Sequence, residues 1–212
     1  GPMADNVENC ARLLTAMAGP DPLDPRQRGV IPKNYVKDYT AALGKGCKGI
    51  KIGVLEDGFG YPDSWGDTGL PASEKAVDTK VRNALARLKK KGASITKVSN
   101  PRHEDAFHLW SVIILEGATA FMLKGNGIGT NWAGFYNSQL LDNVAKSGKA
   151  RMNDISVSAK LVLLAGEYLQ NDYHGRYHAK AQNIRGQINR SYDELLDKYD
   201  VLVTPTVPMV AT

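Results

Sequence analysis

Ile50-Lys51-Ile52-Gly53-Val54-Leu55, then Glu74 to Lys91, then Ala93-Ser94-Ile95-Thr96-Lys97-Val98: these three segments decide the fold. The first carries Ile50, Ile52 and Val54 at alternate positions, the period of a strand. In the second, Val77, Val81, Ala84 or Leu85, and Leu88 recur at the period of a helix with one apolar stripe. Lys89-Lys90-Lys91 sit at its C-terminal end, where cations suit the helix dipole, and Gly92 stops it. The third segment is a second strand with Ile95 inside. A strand, a helix and a strand in this order predict two parallel strands joined by a right-handed crossover.

Working outward, residues 6–18 predict a helix with Asn6 as cap and Val7, Cys10, Leu14 and Met17 on one face. Gly19-Pro20-Asp21-Pro22 ends it, and Pro20, Pro22, Pro25 and Pro32 make the next stretch a surface loop. A short helix is expected around Asn34 to Ala42, and a loop from Asp57 to Pro71. Downstream, Asn100 as cap and Pro101 in the first turn predict a helix carrying His103, Glu104, Phe107, Trp110, Ile113, Ile114 and Phe121. Gly125-Asn126-Gly127-Ile128-Gly129 breaks it. Further helices are expected over 138–146, 156–169 and 175–198, the last with Ala181, Ile184, Ile188, Tyr192, Leu195 and Tyr199 as its stripe. Val201-Leu202-Val203 reads as a short buried strand. The fold class is α/β, with helices covering a sheet.

The 212 residues are 42% hydrophobic and 23% charged, a balance that excludes a disordered chain and permits a core without disulfide or metal staples. A net charge of +5 with no basic stripe interleaved with aromatics argues against nucleic acid. The greasiest stretch, Val112 to Met122, is interrupted by Glu116 and falls short of the roughly 20 apolar residues of a bilayer span. No membrane partner is therefore expected. Two cysteines, Cys10 and Cys47, indicate a reducing, cytoplasmic compartment, and Cys10, on its helix's apolar face, reads as a buried thiol.

Four features could carry chemistry. Gly125 to Gly129 could cradle a phosphate, but it follows a helix instead of a strand and lacks the Lys-Ser/Thr pair. The plainer reading is a connection between helices. His174 and His178 would share a helical face as zinc ligands do, yet Gly175 stands where a metalloprotease has its glutamate, and no third ligand is evident. Ser156 and Lys160 have a spacing at which a neutral lysine could activate a serine, a spacing that also arises readily by chance. Lys89 to Lys91 are a solvated helix end. No complete catalytic constellation emerges, and no metal or cofactor is implied.

Four segments, in order, resemble the amidase signature family. They are Gly1-Pro2-Met3-Ala4 with Val7, Leu13, Leu14, Ala18-Gly19 and Asp24-Pro25-Arg26-Gln27; Ile50 to Val54 with Gly58-Phe59-Gly60; Ala106-Phe107-His108-Leu109-Trp110-Ser111-Val112-Ile113; and Ala179 to Asn183, Tyr192-Asp193 and Tyr199 to Pro208. The third is similar to the pocket helix of broad-specificity amidases of the type associated with nitrile hydratases. Asp5 and Glu8-Asn9 depart from the family pattern near the start. The resemblance favours Gly1-Pro2-Met3 as family sequence over a cleavage scar.

The resemblance implies a single partial domain over 1–212, part of the mixed-sheet core of that family covered by helices. It implies hydrolysis of a small-molecule carboxamide through a serine acyl-enzyme, without cofactor, and allows a homodimer. The family's catalytic lysine, bridging serine and nucleophilic serine precede the G-P-M stretch, so no catalytic residue is assigned here, and the chain alone is expected to be inactive. For the acyl wall the resemblance points to Trp110, with Ile113 and Phe107 beside it at spacings of three. Two readings of these side chains stand: a flat apolar wall for an acyl group, or ordinary core. The alternative for the whole chain is a non-catalytic α/β binding or interaction module built on the same scaffold.

Overall fold

The computed structural model describes residues 1–24, 27, 30–32, 35, 37–60, 74–130 and 133–210. Two compact units divide the chain: Gly1–Gly46 with Ala120–Ser156, and Cys47–Thr119 with Val157–Thr212.

The second unit is built on strands β1 (Lys51–Leu55), β2 (Ser94–Val98) and β3 (Val201–Val203), in the order β2-β1-β3. Both pairings are parallel, with Ile52 opposite Ile95 on one side and Val201 on the other. Helix α2 (Lys75–Lys90) joins β1 to β2, as the periodicity predicts. Leu85, not Ala84, is its buried residue, and it packs with Ile52, Val54 and Ala93. The alternation in β1 predicts one wet face, but Ile52, Gly53, Val54 and Leu55 are all buried, because a central parallel strand is covered on both sides. At Gly53 the side chains of Leu202 and Tyr199 occupy the space: an added Cβ would stand 2.7 Å from Leu202 Cδ2. The reading of β3 as a buried strand is corrected. Among the described residues it is an edge strand, with Val201 exposed and Leu202 and Val203 half-buried, since its pairing there is with β1 on one side.

Helices α3 (His103–Ala118), α5 (Val157–Tyr173) and α6 (Arg176–Leu196) carry the chain from β2 to β3. Helix α3 starts later than its sequence signals suggest. The Asn100 side chain accepts from Arg102 N at 3.1 Å, closing a local turn ahead of the helix instead of capping it. Helices α3 and α5 approach closely at Gly166, where a Cβ would collide with the Leu115 carbonyl and the Thr119 hydroxyl. Thr119 is fully buried and donates to the Leu163 carbonyl at 3.1 Å, so the crossing is both packed and hydrogen-bonded. His103–Lys124 forms a helical run of 22 residues, long and apolar enough by length and composition to cross a membrane, a longer run than its apolar stretch suggests. Its polar residues Glu116 and Thr119 are turned to α5 and α6.

In the first unit, α1 (Val7–Met17) is capped by Asn6, whose side chain accepts from Asn9 N at 2.8 Å. Thr15 Oγ1 accepts from Tyr39 N at 3.0 Å and so ties α1 to a 3-10 turn over Tyr39–Ala42. That turn is what the structure shows of the helix expected around Asn34 to Ala42, and Asn34 itself lies outside the described residues. Cys10 is half-buried, not buried, and both cysteines are free thiols. Helix α4 (Ser138–Arg151) is longer than its periodicity suggests, with Asn137 as side-chain cap. In Gly125 to Gly129, Gly127 N donates to Phe121 O and both Ile128 N and Gly129 N donate to Gly125 O. These N–H groups are used within the turn, which argues against a phosphate cradle.

After β1, Glu56 accepts from both terminal nitrogens of Arg82, at 3.1 and 3.0 Å, with Lys97 Nζ at 3.7 Å. The Arg82 guanidinium also lies 4.1 Å from the centre of the Phe59 ring. Hydrogen bonding from Arg82, ahead of the opposing effect of burial, holds the Glu56 carboxyl below its ordinary 4.5.

This packing makes two predictions. Gly166→Ala costs about 1–3 kcal/mol by overpacking the helix crossing. Gly117→Ala, where nothing lies within 4 Å of the new Cβ, is neutral or stabilising. Urea midpoints check the pair, and equal shifts in the two variants contradict the account. A depressed carboxyl stabilises the fold above its unfolded value of 4.5 and loses that contribution as pH falls through the folded value. Glu56→Gln therefore lowers the unfolding free energy near neutrality, measured by urea denaturation, by under about 1 kcal/mol, given the solvent exposure of the pair. Its difference from the parent narrows in acid, and a gap that widens on acidification contradicts the assignment.

Candidate functional site

Ligands in open α/β sheets bind beyond the carboxyl ends of the strands, where successive connections leave in opposite directions. Here β1 connects to β2 on one side, and the chain returns from β2 to β3 on the other, so that point lies between β1 and β3. The residues there form a polar cluster. Asp57, just after β1, accepts from Ser99 Oγ at 3.0 Å and from Asn100 N at 2.7 Å, which ties the β1 and β2 ends together. Thr204, just after β3, donates to the Gly58 carbonyl at 2.9 Å. Residue 58 must be glycine, because Thr204 stands where a Cβ would go and His103 Nε2 would be 3.2 Å away.

His103, the first residue of α3, meets Tyr192 of α6 through Nδ1 at 2.6 Å. Burial, and then the negative charge of Asp57, raise the Tyr192 phenol above its ordinary 10.0. The phenol and the imidazole share this hydrogen bond, and Nε2 of the ring lies on the Gly58 side. Asn100 is 2% exposed, and its Nδ2 has no partner among the described residues.

The residues that the sequence resemblance expects in an acyl wall lie further along α3. Phe107 and Trp110 are 48% and 57% exposed, with ring centres 6.1 Å apart and planes inclined at 31°. They form a flat aromatic surface on the outer side of α3 and take no part in the core of these residues. Ile113 does not share that face. Two steps of three residues turn it well away from Phe107, and it is half-buried, while Ile114, 38% exposed, continues the outward stripe. The opposite face of α3 carries Leu109, Val112, Glu116 and Thr119. Glu116 is 3% exposed and accepts from His178 N at 3.1 Å.

Of the other sequence candidates, the two histidines are placed apart. His174 has a left-handed backbone, φ 56°, ahead of α6, so it does not share a helical face with His178. Among the described residues no group of three or more metal-ligating side chains forms. Ser156 precedes α5 and Lys160 lies within it. Sequence reasoning passes over three groups. Asp57 hides in a turn-rich segment, and His103 enters only as one residue of a predicted helix. Glu116 counts only as a break in an apolar run, although a single charge on a helix face otherwise made of Leu109, Val112 and Thr119 is a legible signal of a buried carboxylate.

Comparison with known proteins places this arrangement. The family model described as Amidase matches residues 1–212. The enantioselective amidase of Rhodococcus rhodochrous is 38% identical over the whole chain, which covers 39% of that protein. A glutamyl-tRNA(Gln) amidotransferase subunit of Synechococcus sp. (strain CC9902) is 33% identical over the whole chain, covering 40% of it. Among solved structures, a bacterial aryl acylamidase of the amidase signature family superposes with a TM-score of 0.62 at 18% identity, over 95% of this chain and 35% of that one. The peptide amidase PAM, in complex with the competitive inhibitor chymostatin, gives 0.64 at 21% identity, over 99% of this chain and 40% of that one. The chain thus spans about two fifths of the length of the curated relatives it matches. With a parallel sheet under helices and a family match running from the first residue to the last, the chain belongs to the amidase signature family.

Proposed function

We propose that this chain is part of a cytoplasmic hydrolase that cleaves small carboxamides to a carboxylic acid and ammonia or an amine, and that α3 supplies the aromatic wall of its acyl pocket. The catalytic lysine, bridging serine and nucleophilic serine belong, in this reading, to the portion of the family domain that these 212 residues do not span. The lysine takes the proton of the bridging serine, which takes that of the nucleophile. The nucleophile's oxygen attacks the amide carbon, and the amine leaves with the relayed proton. Water then releases the acid from the acyl-enzyme.

The observation that carries the reading is the outward Phe107–Trp110 pair on the helix that resembles the pocket helix of broad-specificity amidases. Two adjacent rings turned to solvent offer a flat surface that a phenyl-bearing or branched acyl group would cover. An acyl group seated there gains free energy from the apolar area removed from water, and a short aliphatic acyl gains less.

The test is a chimera in which this chain replaces the matching segment of the Rhodococcus rhodochrous enantioselective amidase. The chimera is expected to release ammonia from 2-phenylpropionamide and from propionamide, while the isolated chain releases none. Trp110→Ala is expected to lower kcat/KM for the phenyl amide about tenfold more than for propionamide. A folded chimera that releases no ammonia contradicts the reading, as does a Trp110→Ala variant that affects both amides alike.

A further inference from the structure

We propose that Glu116 is a positioning residue for this acyl wall: its buried carboxylate caps α6 and thereby fixes the rotation of α3 that turns Phe107 and Trp110 outward. The inference rests on the amidase reading for its catalytic consequence and on geometry alone for the positioning itself.

A buried carboxylate needs compensation, and among the described residues no cation pairs with Glu116. Its partner is a helix end. Helix α6 begins after Gly175, a residue with φ 77° and no side chain to cap the first turn. The first N–H groups of a helix lack intrahelical acceptors, and its dipole places partial positive charge there. Glu116 fills that role from another helix. Its Oε1 accepts from His178 N at 3.1 Å, and its Oε2 would lie 3.8 Å from a Cβ on Gly175. The same residue is also held through its backbone, since Gln170 Nε2 of α5 donates to the Glu116 carbonyl at 2.7 Å. Side chain and main chain of one residue therefore bind two helices at once.

The functional consequence comes from helical geometry. Phe107 lies nine positions before Glu116, and nine steps of about 100° place the two on opposite sides of α3. Holding Glu116 against the start of α6 holds Phe107 on the far side, with Trp110 and Ile114 flanking it. Loss of the carboxylate leaves His178 N–H without its acceptor and removes the side-chain tie that sets the rotation of α3 against α6. The rings would then present a different surface to an acyl group. The expected signature is altered discrimination between bulky and small acyl groups, not a uniform loss of activity.

The experiment compares Glu116→Leu, which removes the acceptor, with Glu116→Gln, which keeps one. The isolated chain carries 5-fluorotryptophan at Trp110 after Trp65 and Trp132 are replaced by phenylalanine. Glu116→Leu is expected to move the Trp110 fluorine resonance, and Glu116→Gln to return it to the parent position. In the chimera, Glu116→Leu is expected to raise KM for 2-phenylpropionamide about tenfold, with kcat little changed and propionamide unaffected. Glu116→Gln is expected to restore the parent KM. An unmoved fluorine resonance overturns the proposal, as does an equal loss on both amides or a glutamine variant as impaired as the leucine one. A resonance that moves in the isolated chain while the chimera is inactive on every amide refutes the amidase reading and leaves the positioning role standing.

Discussion

Helix α3 can lie against α5 only because residue 166 has no side chain. The Leu115 carbonyl and the Thr119 hydroxyl occupy the space that any Cβ would need, and Thr119 uses the approach to reach the Leu163 carbonyl. Interiors pack at crystal density, so a contact this close leaves α3 little freedom to translate. Rotation is a separate matter, and there Glu116 supplies the constraint by reaching the start of α6. With translation and rotation both set, the outer face of α3 has one orientation, and that face carries the aromatic pair.

The second organising element is the carboxyl edge of the sheet. Three parallel strands end together, and short polar links join the segments that leave them: Asp57 to Ser99 and Asn100, Thr204 to Gly58, and His103 to Tyr192. Helix α3 begins at this edge, so its N-terminal histidine belongs to the polar cluster while its rings lie one and two turns further on.

Much of this is legible in the sequence wherever the signal is local. Strand β1, helix α2 and strand β2 announce themselves through alternation, an apolar stripe and a lysine-rich end. The ordered resemblance carries the family. The hidden features depend on distant partners. Glu116 looks like an interruption of an apolar helix until His178, 62 residues later, is seen to need its carboxylate. The late start of α3 is obscured because Asn100 and Pro101 imitate a helix start while the asparagine closes a turn. Burial on both faces of β1 is unreadable because alternation reports one covering layer, and the space over Gly53 is filled by the side chains of Tyr199 and Leu202 at the far end of the chain. A spacing of three groups Ile113 with Phe107 but drifts around the helix, and Ile114 holds the place assigned to it.

The central claim is that α3, braced from behind, turns its aromatic face away from its own supporting helices. Acrylamide quenching of Trp110 fluorescence tests it most directly, in a chain where phenylalanine replaces Trp65 and Trp132. An indole that is 57% exposed should be quenched with more than about half the efficiency of a free indole, which has full access to the quencher. A ring sheltered from acrylamide, with the blue-shifted emission of an apolar interior, would place Trp110 in the core and contradict the account.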